Sequence, residues 1–270
     1  MGLPGHWDGG GTLVRIWLVR SATLMVEYGG KRFLVDPMLD PAKARPAVAN
    51  TPNDLRNPLV ELPANADALL ADIDALIVTH LHQDHFDTSA RSALDPSITL
   101  FGQPEDIDRL TADGFSNLYP VEDQLTWEGI AFTRTKARHG TGEIAEAMAP
   151  VSGFVLEAGG EPTLYLTGDT VWYEEIARTI VYQRPDVIVV NAGGARFNEG
   201  DPIVMTSEDI AQVHAAAPWA TIVVDHLEAI NHCLETRDYI DHRLAELDAR
   251  KRVLIPRDGD LLDFGADRTW

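Results

Sequence analysis

The amino-acid sequence predicts a layered α/β fold, an αββα sandwich, and two observations carry that prediction. Residues 12–36 read as three consecutive strands, whereas beyond residue 170 helical segments alternate with short apolar strands. Strands first and β/α alternation afterwards call for sheets whose outer faces are covered by helices.

The elements follow in order. "TLVRIWLV" (12–19), "ATLMVEY" (22–28) and "KRFLVD" (31–36) are rich in β-branched and aromatic residues, with short breaks that include Gly29 and Gly30. Residues 37–63 hold six prolines, too many for a regular helix or a central strand. Their interspersed apolar residues favour an ordered covering loop, an active-site lid, with a plain surface connection as the competing reading. A short helical piece near 65–72 leads into the buried strand "DALIVTH" (74–80), and "PEDIDRLTADG" (104–114) has the acidic start and glycine end of a helix. Segments 125–137, 152–160 and 163–169 look like sheet. Helices at 172–183, 207–216 and 234–249 then alternate with strands "DVIVVNAG" (186–193), "TIVVDH" (221–226) and "RVLIP" (252–256). With no low-complexity tract, short repeat or linker, residues 1–270 are expected to form a single domain.

Composition narrows the function. Acidic residues outnumber basic ones 42 to 22, for a formal charge of −20, so nucleic acid and anionic membrane are unfavourable partners. The single cysteine, Cys233, excludes an internal disulfide framework and a cysteine-rich zinc site, and reads as a small, partly buried hydrophobe. The N-terminus lacks the basic-then-apolar pattern of a secretory signal, and no apolar run approaches a membrane span; a cytoplasmic protein is expected.

The chemistry starts at "THLHQDHFD" (79–87). Residues two apart in an extended segment point to one side, so His80 and His82 can converge on one metal ion. A helical turn near Asp84 would aim Asp84 and His85 at a second ion. Imidazole and carboxylate suit zinc and other first-row divalent metals. Further ligands stand at later strand ends: His139 in "KARHGTG", Asp169 in "LYLTGDT" and His226 in "TIVVDH". In "DHLEAINHC", His226 directly follows its strand and is preferred as the ligand. His232 is then a residue supporting the ligands or facing the substrate, with Glu228 a weaker one. His6, His214 and His242 read as ordinary surface positions.

The order Asp36, His80-x-His82-x-Asp84-His85, His139, Asp169, His226 resembles the motifs of the metallo-β-lactamase superfamily, over nearly the whole chain. The "FLVDP" and "GDT" boxes look most like the branch containing L-ascorbate 6-phosphate lactonase. The resemblance implies a four-layer αββα sandwich, two mixed sheets flanked by helices, with the site at one edge. By carry-over, His80, His82 and His139 hold one ion, and Asp84, His85 and His226 the other. Asp169 bridges, and Asp36 orients a ligand histidine. Two divalent ions are expected, zinc or manganese, with iron also suited to the donors.

The expected function is a dinuclear metal-dependent hydrolase that attacks a small-molecule ester, a lactone or phosphorylated metabolite, with a metal-bridging hydroxide that Asp84 orients. The alternatives are a phosphodiesterase acting on a small cyclic or lipid phosphodiester, and a non-catalytic metal-binding sensor of the same fold. A di-iron redox enzyme lacks room for its usual partner domain. Arg56 and Arg196 are candidates to meet an anionic substrate group, in competition with the surface carboxylates. The expected partner is a small molecule; a homo-oligomer is compatible with the sequence but not indicated by it.

Overall fold

The structure, a computed structural model, describes residues 13–265. Its first sheet takes β1 (Leu13–Arg20), β2 (Thr23–Tyr28), β3 (Lys31–Val35), β4 (Ala75–Val78), β5 (Thr99–Gly102) and β6 (Leu118–Pro120). The second takes β7 (Gln124–Trp127), β8 (Ile130–Lys136), β9 (Ser152–Ala158), β10 (Leu164–Leu166), β11 (Val187–Asn191), β12 (Thr221–Asp225) and β13 (Val253–Leu254). The last strand, β14 (Leu261–Gly265), returns to pair with β1, so both sheets have seven strands, in the orders β14-β1-β2-β3-β4-β5-β6 and β13-β12-β11-β10-β9-β8-β7. Both are mixed, each with three antiparallel and three parallel pairings.

Period-two patterning divides the side chains between layers. Ile16, Leu18, Val26, Phe33, Val35 and Ile77 of the first sheet meet Phe132, Phe154, Leu156, Leu166 and Val189 of the second in a central core. The alternate residues of the first sheet, among them Trp17, Met25, Leu34 and Leu76, pack under the buried side chains of α1 (Ala66–Leu70), α2 (Thr88–Ala93) and α3 (Ile107–Ala112). The short α4 (Gly142–Met148) lies beside the site. On the far side α5 (Glu174–Gln183), α6 (Ser207–Ala216) and α7 (Arg237–Glu246) cover Val155, Tyr165, Ile188 and Val224. This is the four-layer αββα sandwich, helices outside and two sheets within.

Several boundaries differ from the sequence expectation for local reasons. The helix expected at 234–249 starts at Arg237, because the Thr236 side chain caps it by accepting from Tyr239 N. Segment 125–137 is a hairpin turning at Glu128 and Gly129, both with positive φ (51° and 83°), the twist a two-residue hairpin loop requires. Strands β5, β6 and β14 and helices α2 and α4 were not anticipated. His6 lies outside the described residues.

Candidate metal centre

Strand direction gathers the site. β3, β4, β10, β11 and β12 run parallel within their sheets and deliver Asp36, His80, Asp169, Asn191 and His226 from their carboxyl ends. β8 is antiparallel to β9, and β9 to β10, so β8 points the same way as β10 and brings His139 to the same edge. The chain leaves the strands sharply there. Asp36 (φ 43°) and His226 (φ 63°) both occupy the left-handed region, which costs non-glycine residues about 1–3 kcal/mol and concentrates at functional sites. Gly168, beside Asp169, is also left-handed (φ 64°), and a Cβ there would sit 2.4 Å from Ser152 O, so only glycine fits.

After β4 the segment 80–87 makes one helical turn, with His85 N and Phe86 N donating to His82 O, before Asp87 caps α2. That turn separates the histidines into two groups. His80, His82 and His139 place ring nitrogens within 4.8 Å of one another; Asp84, His85, Asp169 and His226 bring carboxylate oxygens and ring nitrogens equally close. Asp169 joins them, its Oδ2 lying 3.2 Å from His85 Nε2 and 3.3 Å from His139 Nε2.

The outer ring nitrogens are anchored. His139 Nδ1 lies 2.7 Å from Ile203 O and so donates to it. His85 Nδ1 lies 2.8 Å from Asp36 Oδ2. Thr79 Oγ1 donates to the same oxygen at 2.7 Å, so its lone pair faces His80 Nδ1 at 3.0 Å and the proton belongs on that nitrogen. His226 Nδ1 meets Cys233 Sγ at 3.5 Å, and Asn191 Nδ2 donates to Asp169 Oδ1 at 2.9 Å. The inner nitrogens converge on one another and on Asp169. His80 Nε2 and His82 Nδ1 approach to 2.8 Å, and Nε2 of both His85 and His226 is buried with no aligned hydrogen bond. Orphaned buried nitrogens aimed at a carboxylate are what a divalent cation would satisfy, and five imidazoles with two carboxylates fit zinc, manganese or iron.

The two groups differ electrically. Burial, then the charges of His85 and His82, hold His80 well below the usual histidine value. Burial likewise lowers His82 and His139 against the pull of nearby carboxylates. In the second group burial is overcome. Asp169 and Asp36 hold His85 well above its ordinary value, and Asp169, Cys233 and Asp84 do the same for His226. Against their own burial, Asp84 and Asp169 stay well below the carboxylate range, Asp84 through His226 and His85, Asp169 through His85, His226 and His139.

A cavity of about 270 Å³ opens onto His82, Asp84 and His139. Loop 37–63 supplies Arg45, Val48 and Asn57 to its wall, with Met148, Phe197, Ile230 and His232 opposite. Asn231 pins the loop with six hydrogen bonds, to or from Val48, Thr51, Asn53 and Asn57. The fully buried Arg20 donates to Met38 O, Asp40 O and Val60 O.

Neither arginine singled out in the sequence lines this cavity. Residues Arg45 and Asn57 pair as an antiparallel bridge within the loop, which turns Asn57 inward and its neighbour Arg56 outward. The Arg56 guanidinium donates to Lys43 O and Ala44 O. Arg196 stands behind the wall, its backbone N–H on His232 O. Glu228 is held by Arg237, and His214 and His242 sit on α6 and α7 away from the cluster. His232 does line the cavity. Sequence reading missed Arg45, Asn191 and Asn231; Cys233 is the partly buried hydrophobe expected, and its thiol also meets His226 Nδ1.

A family model described as the beta-lactamase superfamily domain matches residues 31–245. This chain belongs to that superfamily and is a metal-dependent hydrolase. It is 39% identical over 254 residues to the UPF0173 protein YddR of Bacillus subtilis, covering 93% of this chain and 100% of that one. A UPF0173 metal-dependent hydrolase of Xanthobacter autotrophicus is 26% identical over 254 residues, covering 90% of this chain and 94% of that one. Among solved structures, an isothiocyanate hydrolase from Delia radicum gut bacteria superposes with a TM-score of 0.89 at 34% identity, covering 93% of this chain and 100% of that one. A possible metal-dependent hydrolase from Veillonella parvula does so at 0.89 and 30%, covering 93% and 99%. The names of these superfamily members lend no support to the lactonase branch. No helix among the described residues is long and apolar enough to cross a membrane.

Proposed function

We propose that this hydrolase is dinuclear and acts on a small, uncharged electrophile carrying an apolar group, an isothiocyanate first and a neutral ester or lactone second. The observation that carries the reading is the pairing of the seven-donor cluster with its cavity. Val48, Met148, Phe197 and Ile230 make the cavity apolar, and Arg45, the one cation on its wall, has Nε 2.8 Å from Asp40 Oδ2. Beyond the metals themselves, a phosphate group would find no unpaired cation on that wall, so nothing in the wall favours a phosphate over a neutral group. The isothiocyanate hydrolase among the structural relatives acts on a compound of the favoured kind.

His80, His82 and His139 would hold one ion; Asp84, His85 and His226 the other; and Asp169 both. Bound divalent ions supply Lewis acidity and bring the pKa of water towards neutrality. Asp84 is the only member of its group that also lines the cavity. Its depressed pKa keeps it ionised, so it orients an attacking water by accepting a hydrogen bond without retaining the proton. The apolar wall excludes competing water and holds the substrate's side group.

The test uses protein reconstituted separately with zinc and manganese. Benzyl isothiocyanate, a δ-lactone and bis(p-nitrophenyl) phosphate are compared by kcat/KM. The isothiocyanate should be consumed fastest, with one water entering and benzylamine and carbonyl sulfide leaving. Preference for the phosphodiester, or no turnover of either neutral compound, would overturn the substrate reading.

A further inference from the structure

His232 is a buried polar group of the cavity wall whose ring nitrogens no other residue uses, whereas Gln83, also on the wall, is exposed. The residue is 5% exposed and its ring stacks on Phe197 at 6.3 Å between centroids. Nδ1 is buried with no partner, which leaves Nε2 to face the cavity. Burial pushes its pKa down to about 4, so near neutral pH the ring is uncharged and carries one N–H. A proton on Nδ1 would bury an unsatisfied donor; a proton on Nε2 leaves only an unused lone pair inside and presents the donor to the cavity.

The ring is also held in place from behind. Arg196 N donates to His232 O, and the adjacent Asn231 is clasped to the loop through Thr51, Asn53, Asn57 and Val48. A buried, immobilised donor with no partner of its own, across a small apolar cavity from Asp84, is arranged for an acceptor that arrives with the substrate.

We propose that His232 is a catalytic residue whose Nε2–H donates a hydrogen bond to a heteroatom of the bound substrate, turning the electrophilic carbon toward the cluster. The assignment rests on the hydrolase reading above for its kinetic test, but not for its binding test. Glutamine can place an amide N–H near the position of Nε2, whereas phenylalanine keeps the ring and its stack and removes the donor.

In zinc-loaded protein, His232→Phe should lower kcat/KM for benzyl isothiocyanate by about tenfold to a hundredfold, while His232→Gln recovers part of the loss. Both variants should retain the native zinc content. The binding test follows the ring nitrogens by NMR in zinc-loaded protein labelled with 15N-histidine. His232 should show the Nε2–H tautomer, and benzamide, a neutral non-reactive acceptor, should shift its Nε2 signal. Wild-type kcat/KM in His232→Phe, equal loss in both variants, zinc loss in His232→Phe, or an Nε2 signal unmoved by benzamide would each overturn the proposal. If no compound is hydrolysed but the benzamide shift appears, the hydrolase substrate reading fails and the His232 assignment stands.

Discussion

The three-histidine group and the carboxylate-containing group share the oxygen Asp169 Oδ2, and the His80 and His85 ring centroids lie 4.1 Å apart, yet the two groups differ in charge. His80, His82 and His139 are held below the usual histidine value and are neutral at pH 7. Around Asp84 and Asp169, His85 and His226 are held above it and carry protons when no metal is present. Those protons occupy the electrostatic place of a cation. On the dinuclear reading, the first group would accept a metal as folded, whereas the second would exchange protons for one.

The largest test of this difference removes the shared oxygen ligand. Asp169→Asn should drop hydrolysis by roughly a thousandfold or more and deplete both ions, whereas His82→Ala and Asp84→Asn should each lose activity but retain about one ion per chain. Metal content of protein purified without added metal reads the outcome directly. Retention of two ions by either single variant would show that the groups are not separate sites.

Acidity should separate the groups next. Loading the second group releases up to two protons, so its affinity should fall by about a hundredfold per pH unit below neutrality, while that of the three-histidine group changes far less until its own histidines protonate. The metal-free protein carries the matching signature. His85 and His226, raised in the fold, contribute stability that is full below about pH 6.5 and lost as pH rises through their folded values. His80, His82 and His139, lowered in the fold, cost stability as pH falls below that same value. The Tm of chelated protein should therefore peak near pH 6.5 and flatten once metal is restored. A Tm rising steadily from pH 6.5 to 9 without metal would contradict the protonated state of the second group.

Smaller effects should fall on one group alone. Asn191→Ala removes the donor to Asp169 Oδ1 and should weaken the second group about tenfold, and Cys233→Ala, at the longer contact to His226 Nδ1, should weaken it less. Competition with a chelator would measure both. An equal loss from the three-histidine group would show that the supports are shared more widely than the contacts indicate.

What the sequence made legible follows from the same geometry. Each ligand stands just beyond an apolar strand, and strand ends are readable from periodicity and composition. The layer order was readable too, because strands precede β/α alternation. The cavity wall was not, because it depends on long-range docking: Asn231 meets Asn57 across 174 residues, and the loop's own bridge decides that Arg45 and not Arg56 faces inward. β14 pairs with β1 from the opposite end of the chain, a partnership that short-range pattern cannot reveal.

Asp36 touches neither inner ring nitrogen, yet its Oδ2 holds His85 directly and, through Thr79, sets which nitrogen of His80 keeps its proton. One carboxylate thus orients a histidine ring in each group. Ordering that chain for the first ion leaves less to order for the second, so filling one site should ease filling the other. Metal uptake would then be cooperative, and an effort to change the metal preference of either site alone would have to work around Asp36.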